Sequence, residues 1–372
     1  MESGEYMINY KERIKILVAV TDYPNINTSG GGALEFVHTR NKYYLKHNFD
    51  VTVLNFSCNE GYCLDGIKVI SLSEYYLDNQ SYDKLVFHAP NIRNHYRFLK
   101  HNVDNFSTIV IFFHGHEILY VNQIYPKLYK YMPLKDKFMR ICHSFYDPFK
   151  LFIWRRYLPK IATKTTLVFV SEYLHMLYTQ FVGASGYKLG NNMYVINNAI
   201  GELFEKTKYN VYTEKKEYDF ITIRSRLDAS ECCIDLVSIL AVANPQFKFL
   251  VIGKGQYFSR NNMPDNLTYI PNNLSHIELK PYIDKSSCAL MPTKHDSQGV
   301  MSCELASYGI PLITSDIPVC REIFADFKNV FFIENSVIDL TAIYKDAIKT
   351  AGQYSDKYYY NNTIFKEEEL LR

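Results

Sequence analysis

No stretch of this 372-residue chain approaches the roughly 20 consecutive apolar residues that a membrane-spanning helix needs, so any membrane role is expected to be peripheral. Met1 to Arg13 is polar and has no apolar core, so no secretory signal is expected there. Charge of one sign is missing too: 41 Lys and Arg face 39 Asp and Glu, a net +2. A dedicated nucleic-acid binder would show a strong or striped basic excess. The eight cysteines (Cys58, Cys63, Cys142, Cys232, Cys233, Cys288, Cys303 and Cys320) form no Cys-x-x-Cys pair, and several lie in apolar runs. Free buried thiols in a reducing cytosol are therefore expected rather than a disulfide framework or a zinc site. An apolar fraction of 47% and a charged fraction of 22% are ordinary for a globular protein and exclude extended disorder. The length suits two domains of about 150–200 residues.

What is present is alternation. Ile14 to Val20 is nearly continuous apolar sequence, as expected of a parallel strand buried on both faces. A Gly-rich turn follows, then a helical pattern with Leu34, Val37, Tyr44 and Leu45 on one side. Val51–Phe56, Lys84–His88, Ile109–His114, Leu167–Val170 and Met193–Ile196 read as further strands. The charged, Tyr-rich stretch 201–216 has no apolar period and reads as a linker. The pattern then restarts with Phe220–Ile223, Phe247–Ile252, Leu267–Ile270, Ala289–Met291, Ile310–Thr314 and Val330–Phe332. Strands spaced by helical segments imply two α/β domains with doubly wound parallel sheets, at 1–200 and 217–350. A helical tail over 351–372 is positioned to pack back on the first domain. A ligand is expected in the cleft at the carboxyl ends of both sheets.

The densest polar segment on this frame runs from Met291 to Pro311. A strand ends at Met291, a polar loop follows, and a helix is expected to begin near Gly299 with Glu304 in its second turn. Free N–H groups and a partial positive charge at a helix N-terminus suit a diphosphate. Glu304 is placed to accept two hydrogen bonds from a diol such as ribose. The competing reading is that Asp296 and Ser297 only cap the helix. Upstream, Gly30-Gly31-Gly32 permits close backbone approach to phosphate. The turn is not the G-x-G-x-x-G of a nicotinamide-binding fold, and the second strand ends Asn55-Phe56-Ser57 without the acidic residue such a fold wants. His114-Gly-His116-Glu117 follows an apolar strand and should emerge at the cleft edge. A structural histidine or a His/Glu metal site are the alternatives there.

Asp296 and Glu304, eight positions apart before Gly309-Ile-Pro311, resemble the signature of the retaining GT-B glycosyltransferases of family four, the glycosyl transferases group 1. Other landmarks resemble that family in order: the triple-Gly turn, His114, Val195-Ile-Asn-Asn198, Ile252-Gly-Lys-Gly255, and Asp316 with Glu322. The resemblance runs from about residue 14 to 325. It implies a GT-B fold, two Rossmann-like domains facing across a cleft, with the donor on the C-terminal side and the acceptor on the N-terminal side. It further implies that Glu304 binds ribose, that Asp296 and His114 lie near the transferred sugar, and that Arg224 and Arg226 face the donor diphosphate. Gly31, Gly32, Gly253, Lys254, Gly255, Ser297, Gln298, Gly299 and Val300 complete the implied donor site. The nucleotide sugar is a substrate in such enzymes, so no cofactor and no metal are expected.

Two departures matter. Asp296 replaces the family's usual Glu and is shorter by roughly 1.5 Å, so the loop must move in or a water must bridge. Glu231 occupies the position of a usual Lys on the diphosphate and is expected to point away from it, with Lys254 or the second Arg taking over.

Between Tyr125 and Lys160, nine Lys or Arg stand against two Asp, interleaved with Phe138, Phe145, Phe149, Phe152, Trp154 and Tyr157. The first expectation is a solvated helical excursion whose aromatics pack on the core. The second is docking on an anionic membrane surface.

The function expected is transfer of a sugar, with retention, from a nucleotide-sugar donor to a carbohydrate or lipid-linked acceptor. The setting would be polysaccharide or glycan synthesis in the cytoplasm or at the inner face of the membrane, with no nucleic-acid partner. A sugar-nucleotide epimerase on the same frame, or a degenerate transferase kept as a binding subunit, are the alternatives.

Overall fold

In the computed structural model, which describes residues 13–25, 35–78, 80–183, 192–212 and 215–372, the apolar runs become two sheets. Along the chain the strands of the first are β1 (Ile14–Val20), β2 (Phe49–Asn55), β3 (Tyr62–Leu64), β4 (Ile67–Ile70), β5 (Lys84–His88), β6 (Thr108–Phe113), β7 (Thr165–Phe169) and β8 (Met193–Val195). Those of the second are β9 (Tyr218–Arg226), β10 (Phe249–Lys254), β11 (Leu267–Ile270), β12 (Ser286–Met291), β13 (Leu312–Ser315) and β14 (Val330–Ile333). The spatial orders are β3-β4-β2-β1-β5-β6-β7-β8 and β11-β10-β9-β12-β13-β14. All pairings are parallel except β3 with β4.

Each sheet is covered on both faces. Leu17 and Ala19 of β1 join one apolar cluster, while Ile16, Val18 and Val20 join the cluster on the opposite face. Side chains alternate across a strand, so a strand buried on both faces must be apolar throughout, and Ile14–Val20 is. In the second sheet Ile221 and Ile223 face one cluster and Phe220 the other. The β3–β4 hairpin was not expected. Its turn, Asp65-Gly66, has φ of +50° and +80°, the conformation Asp-Gly favours in two-residue hairpins.

The stretch 201–216, expected as a linker, is packed in part. Glu202–Lys206 is a helix, and Phe204 and Tyr209 are buried in the core of the second domain. The tail helix Ile364–Leu371 lies on the first domain. Its buried Glu367 accepts a hydrogen bond from Arg40 Nε at 2.9 Å and another from the Tyr44 hydroxyl. Nearby, His47 pairs with Glu368.

A buried histidine behind the site makes stability depend on acid. His95 Nδ1 accepts the Asn91 N–H and its Nε2 lies 3.2 Å from the Ala19 carbonyl, an arrangement that fits only the neutral ring. Burial pushes its pKa down to about 3. In the unfolded chain the ring takes a proton below about pH 6.5, so this contribution is complete above that pH and is lost as pH falls toward 3. One such proton steepens the loss by about 1.4 kcal/mol per pH unit. Denaturant midpoints measured from pH 7 to pH 4.5 should fall, and His95→Gln should flatten the slope by about one proton. An unchanged slope would mean that His95 is not neutral in the fold.

Candidate active site

β9, β12 and their following loops deliver the second domain's polar groups to the cleft, and β6 delivers those of the first. A cavity of about 320 Å³ lies where they meet, lined among others by His114, Arg224, Arg226, Glu231, Asp296 and Gly299. A second cavity of about 360 Å³ shares Arg224 and extends into the second domain. It is walled by Ile223, Ile252, Leu274, Ile277 and Leu279, with Asn272, Asn273 and His276 at its polar edge. The first cavity is the more polar of the two, and the second is largely apolar.

The loop after β12 turns tightly because Asp296 Oδ1 accepts the N–H groups of Ser297 at 2.7 Å and Gln298 at 3.2 Å. Asp296 thus organises the loop and does not cap the helix. The helix Val300–Tyr308 starts after Gly299, which is left-handed, and no side chain caps it. Its N-terminus therefore keeps free N–H groups and positive potential beside the cavity, since Gly299 and Val300 both line it.

Arg224 is the second source of positive potential. Its Nη2 donates to the Pro292 carbonyl at 2.7 Å, whereas its buried Nε has no partner among the described residues. A buried donor without an acceptor is costly, and the residue that bears it lines both cavities. The backbone of Arg224 is pinned from the neighbouring strand. Gly253 has φ +151°, and a Cβ there would lie 1.8 Å from the Arg224 carbonyl oxygen, so only glycine fits. Arg226 differs: its side chain is 76% exposed and its Nη2 is 3.9 Å from Glu231.

Glu231 was expected to point away from the diphosphate position. It lines the polar cavity. Its carbonyl accepts from Lys294 N and Thr293 Oγ1, both at 3.0 Å, which fixes the turn. Arg226 offsets part of its charge. Replacing Glu231 with Gln removes a negative charge next to the proposed diphosphate and should tighten donor binding about fivefold, roughly 1 kcal/mol. Calorimetric titration reads this directly, and weaker binding would mean that Glu231 chiefly positions Arg226.

Lys254 and Gly255 line a third cavity of about 530 Å³, together with Arg226, Glu231, Arg140 and His143, and do not reach the first. Glu304 is buried behind the apolar cavity. Its Oε1 accepts the Gly201 N–H at 2.9 Å and lies 3.4 Å from His276 Nε2. Gly31 and Gly32 lie outside the described residues.

From the first domain, His114 is half-buried, with its Nε2 3.2 Å from His88 Nδ1. Burial lowers its pKa well below the usual imidazole value, as does the Arg40 guanidinium. His114 is therefore neutral near pH 7 and can donate or accept a hydrogen bond. Glu117 is turned inward and accepts the N–H groups of Gly115 at 2.6 Å and His114 at 3.2 Å. It shapes the turn rather than the cleft. At Gly115, φ +150°, a Cβ would come within 2.8 Å of Ser297 Oγ, so the loops of the two domains approach closely here.

Other contacts between the domains were not anticipated. The Gln298 side chain is a reciprocal clasp, accepting Asn198 N–H at 2.6 Å and donating to the Asn198 carbonyl at 2.9 Å. Glu322 accepts the N–H groups of Glu172 and Tyr173, both at 2.7 Å, capping a helix of the other domain. Tyr125 stacks on His116 and meets His295 edge-on, each 4.5 Å away by ring centroid. Among the described residues no group of three or more His, Cys, Asp or Glu is placed to hold a metal ion, and no helix is long and apolar enough to cross a membrane.

Residues 205–363 match the family described as Glycosyl transferases group 1. No curated protein matches the chain by sequence. Among solved structures, the chain is similar to the sucrose-phosphate synthase of Thermosynechococcus elongatus, with a TM-score of 0.72 at 11% identity over 96% of this chain and 98% of that one. It is also similar to HepE of Anabaena, solved in complex with UDP and glucose, with a TM-score of 0.64 at 13% identity over 96% and 98% of the two chains. WaaG, a glycosyltransferase involved in lipopolysaccharide biosynthesis, gives a TM-score of 0.61 at 13% identity over 96% and 99%. The fold is thus the two-domain GT-B architecture, and the family match falls on its C-terminal domain.

Proposed function

We propose that the chain transfers a sugar from a nucleotide-sugar donor to a carbohydrate or lipid-linked acceptor, with retention of anomeric configuration. The observation that carries this reading is a convergence. Arg224 and the residues at the uncapped N-terminus of Val300–Tyr308, Gly299 and Val300, line one cavity, and the adjoining apolar cavity has room for a base. The diphosphate would lie between Arg224 and the helix, the base in the apolar cavity, and the sugar toward Asp296 and His114. Positive potential comes from the protein itself, so this arrangement calls for no metal.

In the reaction, the bond from the anomeric carbon to the diphosphate oxygen breaks as the acceptor hydroxyl bonds to that carbon on the same face. The acceptor proton passes to the departing phosphate. The protein contributes by stabilising the leaving group and holding the two substrates in line. A panel of nucleotide sugars should include at least one that raises Tm. A ligand present at about 100 times its Kd adds about 2.7 kcal/mol. No shift with any member would remove the donor from the proposal.

Asp296 has two tasks in this reading. Its Oδ1 holds the loop, and Oδ2 is left to meet a donor sugar hydroxyl. Asp296→Asn can keep the turn but loses the charge, and should lower kcat/KM by about tenfold. Asp296→Glu should give no gain, because the loop is already drawn around the shorter side chain. If Asn retained full activity with an unchanged Tm, Asp296 would be a loop-organising residue only.

A further inference from the structure

The 24-residue helix Leu134–Tyr157 carries an apolar face that none of the described residues covers. Leu134, Phe138, Ile141, Phe145, Phe149 and Phe152 follow one another at intervals of four or three residues, which aligns them on one side of a helix about 36 Å long. Each is between 52% and 82% exposed. The expectation that the aromatics of this segment pack on the core therefore holds for Trp154, which is fully buried, and fails for these four phenylalanines. Burying Trp154 at i, i+4 from Lys150 turns the phenylalanines outward.

The opposite side is anchored firmly. Asp147 accepts the Val121 N–H at 2.7 Å, and Lys150 Nζ donates to Asp147 at 2.8 Å and to the carbonyls of His116 at 2.6 Å and Leu119 at 2.9 Å. The helix is thus fixed to the loop that bears His114 and His116. Charge on the free side has one sign. The helix's two acidic residues face inward, Asp147 buried and Asp136 lining the cavity beneath, while Lys135, Lys137 and Arg156 are exposed beside the stripe. Exposed Lys127 and Lys130 extend the basic rim and line a further cavity of about 730 Å³ with Lys137 and Arg140.

We infer that this face docks on an anionic lipid surface, the phenylalanines entering the acyl boundary and the lysines and arginines meeting acidic headgroups. A second copy of the chain fits less well, since pairing two such faces would bring their basic rims together. A docked helix sets the cavity lined by Met139, Arg140, His143 and Arg226 next to the membrane. Resting on the proposed function, this assigns the acceptor to the lipid-linked class.

The test is co-sedimentation of the intact chain with phosphatidylglycerol-containing vesicles and with pure phosphatidylcholine vesicles. Binding to the anionic vesicles should be at least about tenfold stronger, and should weaken several-fold between about 0.1 and about 0.5 M salt. The triple variant F138S/F145S/F149S should lose at least about tenfold in partitioning while keeping the same nucleotide-sugar thermal shift. Equal binding by the triple variant, or no binding by the wild type, overturns the inference. So does a dimer in ultracentrifugation that the triple variant abolishes without any vesicle binding. Vesicle binding with no response to any nucleotide sugar would leave the docking face standing and remove the acceptor assignment with the proposed function.

Discussion

Arg224→Ala is expected to lower kcat by about a hundredfold or more, with a smaller loss of donor affinity. The effect follows from where its positive charge sits. Half-buried at the meeting point of the polar and apolar cavities, Arg224 keeps one Nη on the Pro292 carbonyl and an unpartnered Nε. Negative charge on a departing diphosphate grows along the reaction, so a fixed donor gains most in the transition state. Losing one such donor from a preorganised site costs about 10²–10³ in kcat. Arg226→Ala should cost far less, because its side chain is largely exposed and shared with Glu231. Steady-state kinetics on the two variants separate them. Equal, small effects would place the leaving group elsewhere, and Lys254 across the adjoining cavity would be the next candidate.

The second large effect is expected at Glu304. One oxygen already accepts the Gly201 N–H and neighbours His276; the proposed ribose contact would use the other. Glu304→Gln keeps an acceptor for Gly201 while removing the charge. A hydrogen bond to a charged group contributes about 1.5–3 kcal/mol, so donor affinity should fall about tenfold to a hundredfold. Tm without ligand should change little. A purely structural Glu304 gives the reverse pattern: normal donor binding in a chain that melts earlier.

The frame of the protein was legible because its signals are local. β1, β5 and β11 begin and end where their apolar runs do, and the helix expected near Gly299 starts at Val300. The Asp65-Gly66 hairpin was equally local and could have been read from its turn. What sequence could not carry was the direction of side chains set by distant partners. Gln298 reaches Asn198 a hundred residues away, and Glu322 caps a helix 150 residues upstream. Both use groups that look like ordinary loop and surface polar residues. The turn at Glu231 is set in the same way, by the hold of Thr293 and Lys294, more than sixty residues on, upon its carbonyl. The phenylalanine stripe was visible as a period, but period alone does not say which side of a helix the core takes. The burial of Asp147, Lys150 and Trp154 decides that.

The central claim is that the second domain binds a nucleotide sugar through Arg224 and the uncapped helix. Calorimetric titration of wild type and Arg224→Ala with UDP-, GDP-, ADP- and dTDP-sugars tests it most directly. The account predicts one-to-one binding of at least one of them to the wild type, with measurably weaker binding by the folded variant. Absence of binding heat across the panel, or identical binding by the two proteins, would contradict it.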